Sequence, residues 1–168
     1  MGPKVSIIMG STSDLDVMAK AAQLLDELEI PFEMNALSAH RTPDEVEKFA
    51  KSAKDRGVKV IIAGAGMAAH LPGVIAAMTP LPVIGVPIKA SLEGFDSIMS
   101  IVQMPPGIPV ATVAVNGAMN AGILAVQMMA TGDAELMQKM IQYKESLKQK
   151  IVKANKELSE VKYKFKTN

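Results

Sequence analysis

Apolar positions along this chain change their period repeatedly, and the changes mark an alternation of strands and helices. "KVSIIMG" (4–10) is a short apolar run closed by a glycine. After it, Leu15, Met18, Ala19, Ala22 and Leu25 recur at three- and four-residue spacing, the period of a helix with one buried face. "FEMNALS" (32–38) reads as a second strand. The next helix carries Val46, Phe49, Ala50 and Ala53 as a single stripe and should stop at Gly57. "VKVIIAGAG" (58–66) is almost continuously apolar, as a parallel strand covered on both faces would be. "LPVIGVP" (81–87) and "IPVATVAV" (108–115) supply a fourth and a fifth strand. Between the third and fourth strands lies "MAAHLPGVIAAM", a loop and short helix, and between the fourth and fifth lies "KASLEGFDSIMSIVQMPPG", again loop and helix. Helices that separate apolar strands imply right-handed crossovers, hence a doubly wound α/β sandwich on a parallel five-stranded sheet.

The pattern then changes character. "NAGILAVQMMA" (120–130) is helical in propensity but apolar on every face, and such a helix is buried on every face. Five strands can hardly surround their last helix unaided, so a homo-oligomer that encloses it is expected. A charged helix over 133–160 follows, expected to reach across a neighbouring subunit. The chain thus divides into a catalytic-size domain, 1–132, and a charged C-terminal helix and tail, 133–168. No Asp, Glu, Lys or Arg occurs from Ser97 to Gly132, but Pro105, Pro106, Gly107, Pro109, Gly117 and Gly122 interrupt that stretch. No apolar span reaches the ~20 residues of a membrane helix, and no membrane association is expected.

Composition narrows the function classes. A net charge of +1 argues against nucleic acid as a partner, because phosphate-backbone binders carry a basic excess. Residues 1–132 hold 9 basic and 12 acidic side chains, whereas 133–168 hold 9 and 5, which fits a solvated basic helix. Without cysteine there is no disulfide, thiolate nucleophile or thiolate-bound metal in the chain, and a reducing cytoplasm, the expected location, is compatible with that. "MGPKVSIIMGSTSDLD" lacks the basic and apolar regions of a signal peptide. Its M-G-x-x-x-S start fits a myristoylation pattern, yet Lys4–Ile7 reads as the beginning of a buried strand.

Ligands of open α/β sheets bind beyond the carboxyl ends of the strands. The loops there are "GSTSD" (10–14), "SAHRTP" (38–43), "GAGMAAHLPG" (64–73) and "PIKASLEGF" (87–95). The first two are rich in hydroxyls and run into helix N-termini, where free N–H groups and the helix dipole favour anions. Ser11, Ser13, Ser38 and Arg41 look like a phosphate cradle, Arg41 adding a forked permanent cation. Capping accounts for Ser13 and for Thr42, which with Pro43 and Glu45 spells a T-x-x-E capping box, but it leaves Ser11, Ser38 and Arg41 unexplained. Asp14 is favoured by the dipole at the start of a helix and could also accept from sugar hydroxyls. Both histidines of the chain, His40 and His70, fall in loops at this edge, the arrangement of a proton shuttle. With no third ligand in sight, they make a poor metal set. Gly64-x-Gly66-x-x-Ala69 fits a relaxed dinucleotide fingerprint, but the acidic residue about 20 positions on is missing, since Ile84 stands there. These small residues read instead as room for a ligand against bare backbone.

"GSTSD", "SAHRTP", "AGAGMAAHLPG" and "SIVQMPPGIPVATVAV", in this order over residues 4–130, together resemble the class I PurE family, the N5-carboxyaminoimidazole ribonucleotide mutases of purine biosynthesis. The resemblance implies a three-layer flavodoxin-like (Rossmann-like) sandwich with a C-terminal helical extension. It implies a homo-octamer with sites built from several subunits, and no metal or organic cofactor. Position by position, Ser11, Ser13, Asp14, Ser38 and Arg41 match substrate-binding positions for the ribose 5′-phosphate and hydroxyls, and His40 matches the general acid/base. His70, with Leu71, matches the lining of the carboxylate or CO2 pocket, where Gly64, Gly66 and Ala69 let the substrate approach. The reaction implied moves a carboxylate from the exocyclic nitrogen to C4 of the imidazole through trapped CO2. The related class II enzymes, which carboxylate aminoimidazole ribonucleotide with free CO2, resemble a lysine version of the loop, "SAHK", so Arg41 favours the mutase. A catalytically silent nucleotide-binding module is the alternative from another class.

Overall fold

The computed structural model describes residues 2–168. Met1, and with it the first position of the M-G-x-x-x-S pattern, lies outside the described residues. The chain forms two compact units, one through residue 129 and one from residue 130 onward.

In the first unit, five parallel strands stand in the order β2-β1-β3-β4-β5. They are β1 (Val5–Met9), β2 (Phe32–Ala36), β3 (Val60–Gly66), β4 (Val83–Ile88) and β5 (Ala111–Thr112). The helices are α1 (Leu15–Glu27), α2 (Pro43–Ser52), α3 (Leu71–Met78), α4 (Phe95–Val102) and α5 (Ala118–Ala130). Strand order reverses between β1 and β3, whose register pairs Met9 with Gly64. This is the flavodoxin-like doubly wound sandwich, and its switch point lies between the first and third strands, where the crevice of such a sheet opens.

Burial explains the apolar runs. Every residue of β1 and β4 is buried, and β3 is buried up to Gly66, because helices cover both faces. One layer joins Ile8, Ile61 and Ala63 of the sheet to Val46, Phe49 and Ala50 of α2, Ile75 of α3 and Ile101 of α4. On the other face α1 brings Met18 against Gly64, and α5 lies close to α1 where Gly122 faces Leu24 and Ala21. Each fully buried Ile or Leu contributes about 1.5–3 kcal/mol to this packing. Past α2, Gly57 turns the chain with φ of +93°, the left-handed conformation that glycine takes most easily.

Two expected elements differ. The fifth strand is two residues, not the eight of 108–115, because it is an edge strand that meets only Ile84 and Gly85 of β4. The apolar helix begins at Ala118, and in the chain by itself only its face of small residues, with Val126, is buried: Ala118, Ala121, Ala125 and Ala130 are covered, while Ile123, Leu124, Met128 and Met129 are partly exposed.

The second unit is dominated by α6 (Ala134–Glu160), capped by the Asp133 carboxylate, which accepts from the N–H groups of Glu135 and Leu136. Its apolar residues are mostly exposed, among them Met137, Ile141, Leu147, Ile151 and Leu158, and Met140 is buried. Among the described residues no helix is long and apolar enough to cross a membrane.

Candidate active site

The turn after β1 is shaped by Ser11. Its extended backbone lets Oγ accept from the Ser13 N–H at 3.3 Å, which caps a single 3₁₀ turn, Thr12–Asp14, ahead of α1. Ser13 is therefore not the cap that its spacing indicated: the cap is Ser11, two residues earlier, and the Ser13 hydroxyl is left to donate to Asp14 Oδ1 at 3.4 Å. Burial of the Asp14 carboxyl pushes its pKa up. The Ser11 and Gly10 backbone, the Ser13 hydroxyl and the Arg41 charge pull the other way without cancelling it.

The turn after β2 is closed on itself. Thr42 N–H donates to Ser38 O at 2.8 Å, and Ser38 N–H donates to Thr42 Oγ1 at 2.9 Å. The Thr42 hydroxyl donates back to Ser38 O at 3.2 Å, so the T-x-x-E capping box does not form. The hydroxyl that would have capped α2 fastens the loop instead, and Pro43 at the first helical position needs no N–H partner. In the fastened loop Ser38 Oγ accepts from Arg41 N–H at 3.2 Å and from Arg41 Nε at 3.3 Å. Arg41 Nη2 then reaches across to donate to Gly10 O at 2.9 Å, tying the second turn to the first.

Arg41 and Arg56 are thereby used differently. Arg56 Nη1 grips Glu33 at 2.6 and 2.7 Å and lies over the Phe49 ring, a structural ion pair. Among the described residues no carboxylate is within ion-pair distance of Arg41. It keeps three of its five N–H donors for an anion.

The two histidines meet. His40 Nε2 and His70 Nδ1 are 2.8 Å apart, with the rings edge to face and their centroids 5.0 Å apart. His70 sits at the N-cap of α3, where its carbonyl accepts from Val74 N–H at 3.0 Å. Its side chain makes no cap bond, which leaves the ring to His40.

These turns enclose one cleft of about 530 Å³ at the switch point, with Ser11, Ser13, Asp14, Ser38, His40, Arg41, Gly66, His70 and Leu71 in its wall. Nine of the candidate residues are thus brought together, and two are not. Gly64 points into the opposite packing layer: a Cβ there would stand 2.4 Å from Met18 Sδ, so its bareness serves a core methionine rather than a ligand. Ala69 is buried in the layer with Leu71 and Ile75. Gly64 and Gly66, two apart, face the same way, but Gly64 lies farther back along the strand beneath Met18, and only Gly66, at the strand's carboxyl end, reaches the cleft. There a Cβ on Gly66 would meet Ala90 Cβ at 3.1 Å and narrow the opening.

Sequence reasoning missed Gly10, Ala39, Ala65, Met67, Ala68 and Ala90 in the wall. Gly10 carried a usable signal, a glycine closing the first strand ahead of a serine-rich turn. Ala90 carried only its place in the loop after the fourth strand, and it is the pairing of β4 with β3 that brings it alongside Gly66. Met67 adopts φ of +55° and is 60% exposed, a conformation that few residues other than glycine take. Chemically, the cleft joins a cation and hydroxyls at helix N-termini, one carboxyl, and a coupled imidazole pair beside small apolar side chains.

Residues 4–150 match the family model described as AIR carboxylase. The chain belongs to the AIR carboxylase family. Among its relatives is the N5-carboxyaminoimidazole ribonucleotide mutase of Thermotoga maritima, 54% identical over 163 residues, which are 96% of this chain and 95% of that protein. The phosphoribosylaminoimidazole carboxylase of Schizosaccharomyces pombe is also 54% identical over 163 residues, again 96% of this chain but only 30% of that longer protein. Among solved structures, Treponema denticola PurE superposes with a TM-score of 0.83 at 32% identity, covering 93% of this chain and 98% of that one. Membership of the AIR carboxylase family accords with the resemblance carried by the four motifs and with the fold they imply.

Proposed function

We propose that the protein acts as an N5-carboxyaminoimidazole ribonucleotide mutase in de novo purine (IMP) biosynthesis, an isomerase that moves a carboxylate from the exocyclic nitrogen to C4 of the imidazole. The observation that carries this reading is the meeting of His40 and His70 in the same cleft as the Arg41–Ser38–Ser11 turns, alongside near full-length similarity to a protein of that name. Arg41, Ser38, Ser11 and Ser13 hold the phosphate, and Asp14 accepts from the ribose hydroxyls. His40 faces the heterocycle as general acid/base, and Gly66, His70 and Leu71 line the pocket that keeps CO2 beside C4. Retention matters, because CO2 held in place reacts as a neighbour, whereas CO2 lost to solvent turns a rearrangement into decarboxylation. No metal or organic cofactor takes part in this scheme.

The reading includes a cytoplasmic homo-octamer, with residues 1–132 as the catalytic domain and 133–168 packing on neighbouring subunits. Exposed Leu92, Phe95, Met99 and Val102, and the uncovered apolar residues of α6, are the surfaces it would bury. A second reading, aminoimidazole ribonucleotide carboxylase using free CO2, draws on the Schizosaccharomyces pombe relative. One experiment separates them. Purified protein is given either N5-carboxyaminoimidazole ribonucleotide or aminoimidazole ribonucleotide in bicarbonate-free buffer, and the C4-carboxylated product is followed. Turnover of the first without bicarbonate is expected; product formed only from the second with added bicarbonate would transfer the assignment to the carboxylase.

A further inference from the structure

The turn that leaves β3 carries a strain that the fold by itself does not offset. Met67 stands there with φ of +55°, a left-handed backbone that a residue bearing a Cβ adopts only against steric resistance. Such conformations persist where the surroundings impose them, and they cluster at sites that grip a ligand. What imposes it here is the tightness of the turn, in which the His70 N–H donates to Ala68 O at 2.8 Å and Ala69 is buried in the core layer. Glycine would serve such a turn with less resistance. The Met67 side chain gives the fold little in return, since the residue is 60% exposed. It does lie in the wall of the cleft, in the same turn as His70 and so on the side of the imidazole pair. The other apolar residues on that side are Ala65, Gly66, Ala68 and Ala90, which are short, and Leu71, which is buried. Met67 is thus the one long apolar side chain of the wall with room to swing.

We infer that Met67 is the cover of the reacting end: its thioether folds over the aminoimidazole ring when substrate is bound and closes the space in which CO2 is held. This rests on the mutase reading above and adds to it the group that keeps water out. Methionine suits the task, because its unbranched chain of rotatable bonds settles on an irregular surface and its sulfur makes favourable contacts with aromatic rings. The ring and CO2 are uncharged, so what holds them is removal of apolar surface from water rather than ion pairing. The backbone strain fits the assignment, because the contact that offsets it forms only in the complex. The cover also springs from the first position past β3 with space for a side chain, since a Cβ on Gly66 would press on Ala90 Cβ at 3.1 Å.

The test compares Met67→Gly, which removes cover and strain together, with Met67→Leu, which keeps the apolar bulk. N5-carboxyaminoimidazole ribonucleotide is turned over in buffer containing isotopically labelled bicarbonate, and label in the C4-carboxylated product is read by mass spectrometry beside kcat and KM. Label enters the product only when the original CO2 has escaped and another has replaced it. The parent and Met67→Leu should take up little. In Met67→Gly the labelled fraction should rise about tenfold and KM about threefold to tenfold, the size of a lost sulfur–ring contact together with lost apolar burial. Met67→Gly should melt no lower than the parent, because glycine takes the left-handed backbone freely, and its sedimenting mass should match the parent's. A lower melting temperature or a smaller assembly would place Met67 in the packing of the fold or between copies, and would overturn the cover. A parent that makes no product from this substrate ends the mutase reading and the cover with it. A parent that keeps its CO2 beside an equally retentive Met67→Gly overturns the cover alone.

Discussion

The two halves of the sheet are finished to different degrees. Around β1, β2 and β3 the turns are tied by side chains of the same chain: Ser11 to Ser13, Ser38 to Thr42 and Arg41, Arg41 to Gly10, His40 to His70. Around β4 and β5 the Lys89 N–H donates to Asn116 Oδ1 at 3.0 Å, but the turns are strained and their large apolar side chains lie open to solvent. Leu92, Glu93 and Gly94 run consecutively in left-handed conformation, and Asn116 adds another. For the residues other than glycine such backbone costs about 1–3 kcal/mol each and persists only where surroundings impose it. The buried Ser97 hydroxyl, near Ile88 O and Gly94 O at 3.1 and 2.9 Å, is part of what imposes it. Beside that turn Leu92 and Phe95 are 72% and 67% exposed, and Asp96 Oδ1 is buried without a partner among the described residues. One half of the sheet thus gathers its polar side chains into a cleft from within the chain, while the other leaves large apolar side chains exposed.

The largest effect is expected where the finished half meets the substrate. Arg41→Ala removes the cation that spans the first two turns. Hydrogen bonds to a charged group contribute about 1.5–3 kcal/mol each, so loss of two to a phosphate should raise KM about a hundredfold or more. The thermal midpoint should fall only slightly, since the bonds from Arg41 to Gly10 O and Ser38 Oγ are exposed and, among the described residues, no carboxylate is within ion-pair distance of it. Steady-state kinetics beside a thermal melt decides this, and an unchanged KM would remove the anion from this end of the cleft.

The open half gives the next test. Phe95, Met99 and Val102 lie at i, i+4 and i+7, on one exposed face of α4. Phe95→Glu exchanges about 1.5–3 kcal/mol of apolar burial for a charge at each copy of any interface there. Assembly should weaken at least about tenfold, read as a fall in mass by sedimentation at micromolar protein, with the circular dichroism of the fold kept. A variant that assembles like the parent would mean that this face is not the interface, and the contrast between the halves would need another cause.

The same contrast shows what sequence could and could not reveal. Buried strands announce themselves as apolar runs, so β1, β3 and β4 were readable from "KVSIIMG", "VKVIIAGAG" and "LPVIGVP". The edge strand was overestimated because "IPVATVAV" is as apolar as a central strand, yet only Ala111 and Thr112 pair with β4. Loop position relative to strand ends placed His40, His70, Arg41 and Ser11 at one edge. Their partners were hidden, because a hydroxyl such as that of Thr42 can serve a cap or a turn, and local spacing does not say which. The contact between His40 and His70 spans 30 positions and exists only through the pairing β2-β1-β3. Gly64 stands outside the cleft wall for the complementary reason: glycine signals close approach but not of what, and here the neighbour is Met18.

The smallest effect belongs to Asp14, and it tests whether the finished half carries a cost of its own. Burial raises the Asp14 pKa against the pull of Ser11, Ser13, Gly10 and Arg41. A carboxyl whose folded pKa lies above its unfolded value favours folding fully only when protonated, below the unfolded value. That contribution is lost as pH rises through the folded value, so at neutral pH the ionised group is a slight burden. Asp14→Asn should therefore melt slightly higher than the parent at pH 7, and the gap should close as pH falls into the ordinary carboxylate range. KM should rise at the same time, as the amide accepts more weakly from sugar hydroxyls. A lower melting temperature for Asp14→Asn at neutral pH would mean that the serine and backbone hydrogen bonds outweigh burial. The cleft would then be relaxed when empty, rather than held at a small expense in stability for the substrate it receives.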